Sequence, residues 1–156
     1  ISRKTNSTII LKAINLQKIP IYGSGENIRD WLFVEDHIDA LIKVASYGEV
    51  GSSYCIGGFG EKRNIDIAIE ICNLLDELKP SSKKYSDLIQ FVEDRPGHDY
   101  RYAINSHLIR EKLSWHPNYE FKKALKITVK WYLENLDWCE YVMTKGSYKG
   151  QRLGKF

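Results

Sequence analysis

The sequence has no uninterrupted apolar run near the roughly 20 residues that a bilayer-spanning helix requires, so it contains no candidate membrane helix. Ile1 to Ser7 are polar and do not form the apolar stretch of a secretion signal. Cysteine is scarce. Cys55, Cys72 and Cys139 lie far apart without metal-ligand spacing, and one of three must stay unpaired. A disulfide scaffold is excluded, a reducing cytoplasm is the expected location, and the three thiols read as small apolar core residues. Charge of one sign is lacking as well: 23 Lys+Arg against 20 Asp+Glu leaves +3. That excess is too slight and too scattered for a nucleic-acid-binding face, and suits a small anionic ligand better. Internal repeats, low-complexity tracts, a nucleophile elbow, a phosphate-binding loop and a metal cluster are all absent. Gly23-Ser24-Gly25 is not a dinucleotide motif, because Ile28 stands at the third glycine's place and a strand, not a helix, follows. Tyr141/Lys145 and Tyr119/Lys123 match a Tyr-x-x-x-Lys pattern at the frequency chance allows.

What remains is an ordinary globular composition, 43% apolar and 28% charged, over 156 residues: one domain, with enough chain for a real core. Apolar residues at helical intervals predict a helix over Thr8–Leu16. Pro20-Ile21-Tyr22 reads as a short extended piece, followed by a Gly23–Asn27 turn. Branched and aromatic residues predict a strand over Ile28–Val34. Glu35 and Asp36 then open a helix through Tyr47, with acids where the helix dipole favours them, and Gly48 stops it. A strand is expected over Ser53–Gly58 and a helix over Ile65–Leu78, capped by Asn64 or Asp66. Lys79–Asp87 reads as a polar linker, and Ile89–Val92 and Tyr100–Ile104 read as short strands. Ser106 is expected to cap a brief helix ending near Trp115, and Phe121–Asn135 is the last long helix. The tail, 146–156, reads as loop or disorder. Alternating strands and helices indicate an α/β architecture, but with strands too few and short for an independent doubly wound sheet.

Two segments could carry chemistry. Arg29-Asp30 interrupts an apolar strand beside a glycine turn; it is either a phosphate-clamping guanidinium or a local Arg–Asp ion pair. In Arg95-Pro96-Gly97-His98, proline extends Arg95 and glycine permits a sharp reversal, which presents Arg95 and His98 on one side of a turn, as a plain surface turn or a pyrophosphate site. Gly57-Gly58 allows close backbone approach. Asn64, ahead of a helix, is an N-cap whose helix would aim N–H groups outward, where anions bind. His37, His107 and His116 stand alone as surface or capping residues.

In order, Pro20-Ile21-Tyr22-Gly23-x-Gly25, Ile28-Arg29-Asp30-Trp31-Leu32-x-Val34-Glu35-Asp36-His37, Tyr54-x-Ile56-Gly57-Gly58, Glu61-Lys62-x-Asn64-Ile65-Asp66 and Asp94-Arg95-Pro96-Gly97-His98-Asp99-x-Arg101-Tyr102-Ala103-Ile104 closely resemble the dTDP-glucose 4,6-dehydratase family of extended short-chain dehydrogenase/reductases. The match runs from about Thr8 to Tyr148. It departs near the start, where Lys4 is followed by Thr5-Asn6-Ser7 and not by the family's Leu-Ile-Pro, and in the tail. The resemblance implies a partial fold. Residues 1–145 correspond to the carboxy-terminal, mostly helical nucleotide-sugar-binding part, without the Rossmann half that carries the NAD loop and the catalytic Tyr/Lys pair. It further implies conversion of dTDP-glucose to its 4-keto-6-deoxy product by NAD-dependent oxidation at C4, loss of water across C5–C6 and hydride return at C6. The whole enzyme would be a homodimer, and this portion alone inactive. Arg29 and Arg95 are implied to bind the diphosphate, and Asn64 and His98 to lie in the nucleotide site. Pro20, Ile21 and Tyr22 are implied to line the base and ribose pocket. A related epimerase, decarboxylase or GDP-mannose dehydratase, and a non-enzymatic basic binding module, are the alternatives.

Overall fold

A computed structural model describes residues 3–145; the tail expected to be loop or disordered lies outside them. Helix α1 (Arg3–Ile14) turns Ile9, Ile10 and Ala13 inward. It stops two residues earlier than the apolar pattern suggests. Leu16 takes a left-handed conformation (φ 51°), its N–H bonding Ala13 O and that of Gln17 bonding Lys12 O. This reversal satisfies the last helical carbonyls, with leucine where glycine is usual. Strand β1 (Ile19–Tyr22) follows, with Ile19 and Ile21 buried and Tyr22 exposed.

Three expected strands are shorter or missing. Strand β2 covers only Ile28–Asp30. Beyond it the Trp31 ring enters the core and its Nε1–H reaches Lys62 O at 3.3 Å, and helix α2 (Val34–Tyr47) already begins three residues later. Ser53–Gly58 forms no strand, because the N–H groups of Gly58 and Gly60 are taken by the Asp30 carboxylate (2.8 and 2.9 Å) and not by a ladder. Tyr100–Ile104 contributes a single bridge, Arg101 opposite Ile28. In exchange, Glu61–Arg63 is a strand, β3, antiparallel to β2.

Helix α3 (Asn64–Leu78) is the central element, burying Ile67, Ala68, Ile71, Cys72 and Leu75 against α1 and α5 (Phe121–Glu134). Neither Asn64 nor Asp66 caps it: Arg63 is the N-cap residue and makes no side-chain cap bond. The segment expected to be a linker contains a 3₁₀ turn, Tyr85–Leu88, whose Tyr85 is buried, and then β4 (Ile89–Val92), parallel to β1 with Ile19 opposite Ile89 and Tyr22 opposite Val92. Helix α4 (His107–Leu113) is preceded by Ser106, but the bond to its first N–H comes from Asn105 Oδ1 at 3.0 Å, one residue earlier than expected. A further helix, α6 (Leu136–Lys145), folds back on α5 with Trp138 edge-on to Trp131 at 5.4 Å.

The core has two parts. The larger lies among α1, α3, α5 and β1; the smaller joins α2 to α4 through Ala40, Ile109, Leu113 and Trp115. The Trp115 indole N–H donates to Asp39 Oδ2 at 3.1 Å. Asp36, buried at the start of α2, accepts the Asn118 and Tyr119 N–H groups, so this acid anchors a distant loop as well as the helix end. All three cysteines are free. Cys72 and Cys139 are core groups as expected, and burial pushes the Cys72 thiol to about 12; Cys55 is exposed, contrary to that reading.

Candidate functional site

Parallel pairing brings the carboxyl ends of β1 and β4 side by side at Tyr22 and Val92, and ligands of open α/β sheets bind outside such ends. Both chains turn sharply there. Gly23 adopts φ +57° and donates its N–H to Val92 O at 2.9 Å, and a Cβ at this position would stand 2.9 Å from Asp94 Oδ2. The position therefore needs glycine for both conformation and space. On the β4 side, Asp94 Oδ1 accepts the Arg95 N–H at 2.8 Å and contacts His98 Nδ1 at 2.6 Å, while the His98 N–H closes the turn on Arg95 O at 3.2 Å. Gly97, at φ +66°, makes the reversal possible.

Arg29 meets this turn from β2. Its Nη2 lies 2.9 Å from His98 Nε2 and donates to Asp99 O at 2.9 Å. Its Nη1 donates to Ile28 O at 2.6 Å and to Tyr100 O at 3.4 Å, and Tyr102 lies under the guanidinium with its ring centroid 4.6 Å from Cζ. The Arg29–Asp30 ion pair that the sequence allowed does not form. The two side chains leave opposite faces of the strand, as alternation requires, and Asp30 holds the Gly57–Gly60 loop instead. Burial lowers the Arg29 pKa; the charge of Arg95 acts in the same direction and the Tyr102 phenol against it. Arg95, exposed on the turn, also helps lower the Asp99 carboxyl. The two arginines, 66 positions apart in sequence, thus address one region of surface.

Asn64 reaches the cluster through backbone. Its N–H bonds Asn27 O at 3.0 Å, and the buried Asn27 donates its Nδ2 to Asp99 O at 3.3 Å. The Ile65 N–H bonds Gly25 O at 3.0 Å, so the first N–H groups of α3 are committed to the glycine turn and do not face outward to an anion, contrary to the expectation. Asn64 instead retains a buried side-chain oxygen, Oδ1, without a donor among the described residues. Pro20 is half-buried and Tyr22 exposed beside the site, whereas Ile21 is a core residue at 4% exposure and offers a ligand only its backbone.

Asp94, Asp99, Tyr102 and Asn27 complete the arrangement and were given no role from sequence. The signal was present in part, since Asp94 and His98 are an i, i+4 carboxylate–imidazole pair. The hydroxyl of Tyr102 donates to Asp99 Oδ2, which lowers the Asp99 pKa and raises that of Tyr102. Hydrogen bonding to His98 lowers Asp94, and the two-pronged bond from Arg101, at 2.7 Å to each oxygen, lowers Glu61. A carboxyl whose folded pKa is depressed adds stability above the ordinary carboxylate value of about 4, and that stability is lost as pH falls through the folded value. Acidification below about pH 4 is therefore expected to loosen the 94–102 segment before the helices. Near-UV circular dichroism from tyrosine should decline at higher pH than the far-UV helical signal, and coincident midpoints would contradict this.

Comparison with known proteins identifies the family. A family model described as GDP-mannose 4,6 dehydratase matches residues 1–128. A dTDP-glucose 4,6-dehydratase from Shigella flexneri is 48% identical over 141 residues, covering 90% of this chain and 39% of the relative. One from Neisseria meningitidis is 49% identical over 150 residues, covering 94% and 42%. Among solved structures, the Bacillus anthracis dTDP-glucose 4,6-dehydratase in complex with NAD superposes with a TM-score of 0.76 at 39% identity, covering 88% of this chain and 41% of that one. The Streptomyces venezuelae enzyme of the same name, with NAD and TYD bound, gives 0.77 at 31% identity, covering 88% and 40%. The chain thus spans about two fifths of the length of the relatives it matches.

Proposed function

Because the chain belongs to the GDP-mannose 4,6 dehydratase family, we propose that residues 3–145 form the nucleotide-sugar-binding part of a dTDP-glucose 4,6-dehydratase. In this reading the diphosphate of dTDP-glucose lies across Arg29 and Arg95, with Tyr22 and Pro20 toward the base and ribose and the Asn64 amide oxygen toward the nucleoside. The observation that carries it is the convergence of Arg29, His98 and the Arg95 turn beyond the carboxyl ends of β1 and β4. Guanidinium–phosphate bonds are charge-assisted and contribute about 1.5–3 kcal/mol each.

The whole enzyme would oxidise the sugar at C4 with NAD, eliminate water and reduce the product at C6. These residues do not fit the cofactor. The Gly23–Gly25 turn leads into a strand, and a Cβ at Gly25 would meet Ile21 Cγ2 at 2.7 Å and Ile65 Cβ at 2.9 Å, so this glycine backs onto the core and is not an open phosphate cradle. What these residues contribute is recognition and orientation of the nucleotide sugar. No helix among the described residues is long and apolar enough to cross a membrane. The free cysteines support a cytoplasmic location, and the homodimer implied by the family resemblance is checked by the sedimentation velocity of the intact enzyme.

Calorimetric titration with dTDP, UDP and GDP tests the assignment. dTDP is expected to bind most tightly, with at least a tenfold margin, or about 1.4 kcal/mol, over GDP. Tighter binding of GDP would transfer the site to a GDP-sugar dehydratase. Binding of none of the three, with tight salt-sensitive binding of a long polyanion, would return the non-enzymatic reading.

A further inference from the structure

Arg29 has five N–H donors, and the four on its terminal nitrogens face Ile28 O, Tyr100 O, Asp99 O and His98 Nε2. Three of these acceptors are backbone carbonyls fixed by the local fold. The fourth is a side chain, and it alone can change chemical state. Arg29 only donates, so at 2.9 Å His98 Nε2 must present its lone pair. The ring proton then sits on Nδ1, where Asp94 Oδ1 accepts it at 2.6 Å. The imidazole is more than nine-tenths buried, so both nitrogens are engaged chiefly by protein groups. That geometry is the one a neutral, Nδ1–H imidazole makes, and in it the ring occupies the guanidinium edge a phosphate oxygen would need.

We propose that binding of a nucleoside diphosphate at this site is coupled to uptake of one proton by His98. A proton from solvent adds to Nε2, the bond from Arg29 Nη2 to that lone pair is lost, and Nδ1–H keeps its bond to Asp94. The freed Arg29 N–H and the new His98 Nε2–H then both donate to the arriving phosphate. In the empty site an imidazolium would press N–H against N–H beside Arg29. With the anion present the same imidazolium is one more donor to it. The groups around the pair support that balance: Arg29 and Asp94 on the two ring nitrogens, and Arg95, Asp99 and Tyr102, whose charges act on Arg29. The three cationic positions, two arginines and the protonated ring, exceed the two carboxylates until a dianionic group arrives. Linkage makes the effect reciprocal, so the anion favours protonation as much as protonation favours the anion.

The inference rests on the nucleotide-binding reading, and two measurements separate them. Nitrogen-15 shifts of His98 in the free chain at about pH 7.5 are expected to show a protonated Nδ1 and an unprotonated Nε2; the opposite tautomer overturns the proposal. Calorimetry with dTDP and with inorganic pyrophosphate, in buffers of different ionisation heat from about pH 5.5 to 8, is expected to show uptake that exceeds that of His98→Gln by up to one proton per ligand, the difference cancelling exchange by the ligand's own phosphate. Affinity should fall with rising pH by up to about tenfold per unit, the limit for a single linked proton. His98→Gln, which keeps an acceptor opposite Arg29 and cannot take up a proton, should retain only the exchange and pH dependence of the ligand's own phosphate, which ionises at about pH 6. Binding of dTDP without proton exchange overturns the coupling and leaves the nucleotide assignment standing. Proton-linked binding of pyrophosphate without binding of dTDP does the reverse. Equal uptake by wild type and His98→Gln moves the proton elsewhere and also overturns the proposal, and absence of binding by both ligands overturns both.

Discussion

Arg29→Ala is expected to weaken dTDP binding by about 30- to 150-fold, the equivalent of 2–3 kcal/mol for a charge-assisted contact. Two effects act together. The guanidinium is the positive group of β2 that faces the proposed diphosphate, and it also ties that strand to the 98–100 backbone through Asp99 O and Tyr100 O. Arg29→Lys separates them. An ammonium keeps the charge but cannot span His98 and two carbonyls as the planar fork does, so it should recover only part of the affinity. Arg95→Ala, at an exposed side chain on the same turn, should weaken binding by about tenfold while leaving the denaturation midpoint unchanged. The check is calorimetric titration of the three variants beside urea unfolding curves. Unchanged dTDP affinity in Arg29→Ala would remove the diphosphate from this site.

Trp115→Ala should be the most damaging of the simple truncations to the fold, costing about 3–5 kcal/mol. The ring is 1% exposed, packs with Ala40, Ile109 and Leu113, and gives its N–H to Asp39. It is the largest side chain of the smaller core and, through Asp39, ties the segment after α4 to α2. Removing it leaves a cavity in the smaller core and takes the indole partner from the exposed Asp39 carboxylate. Trp115→Phe would restore most of the volume without the hydrogen bond and should recover more than half of the loss. Urea denaturation followed by circular dichroism reads both. A loss below about 1 kcal/mol for the alanine variant would mean that the small core contributes little to the folded state.

The helices were legible because their signal is local. Val34–Tyr47, Asn64–Leu78 and Phe121–Glu134 each repeat apolar residues at the period that one buried face demands, and sequence places their ends within a residue or so. The strands were less so. Ser53–Gly58 has the composition of a strand, yet the N–H groups of its last residue, Gly58, and of Gly60 go to the carboxylate of Asp30, a partner more than 20 residues away whose availability no local pattern records. The converse holds for Glu61–Arg63, three charged residues that form a strand because β2 lies beside them. Helix α6 went unseen, its turns stabilised by a tryptophan contact with α5.

The site divides in the same way. Sequence identified the turn that bears Arg95 and His98, the strand that bears Arg29, and the order in which both occur, because glycine, proline and charge restrict the backbone where they stand. It could not say that Arg29 would reject Asp30 for His98, that Ile21 would turn into the core, or that the first N–H groups of α3 would close on the glycine turn. Those outcomes depend on which face of a strand each side chain leaves and on what chain segment arrives opposite it. Conformational preference belongs to a residue and its neighbours and can be read in one dimension. Pairing of donors, acceptors and charges between segments some 70 residues apart exists only once packing has brought them within 3 Å.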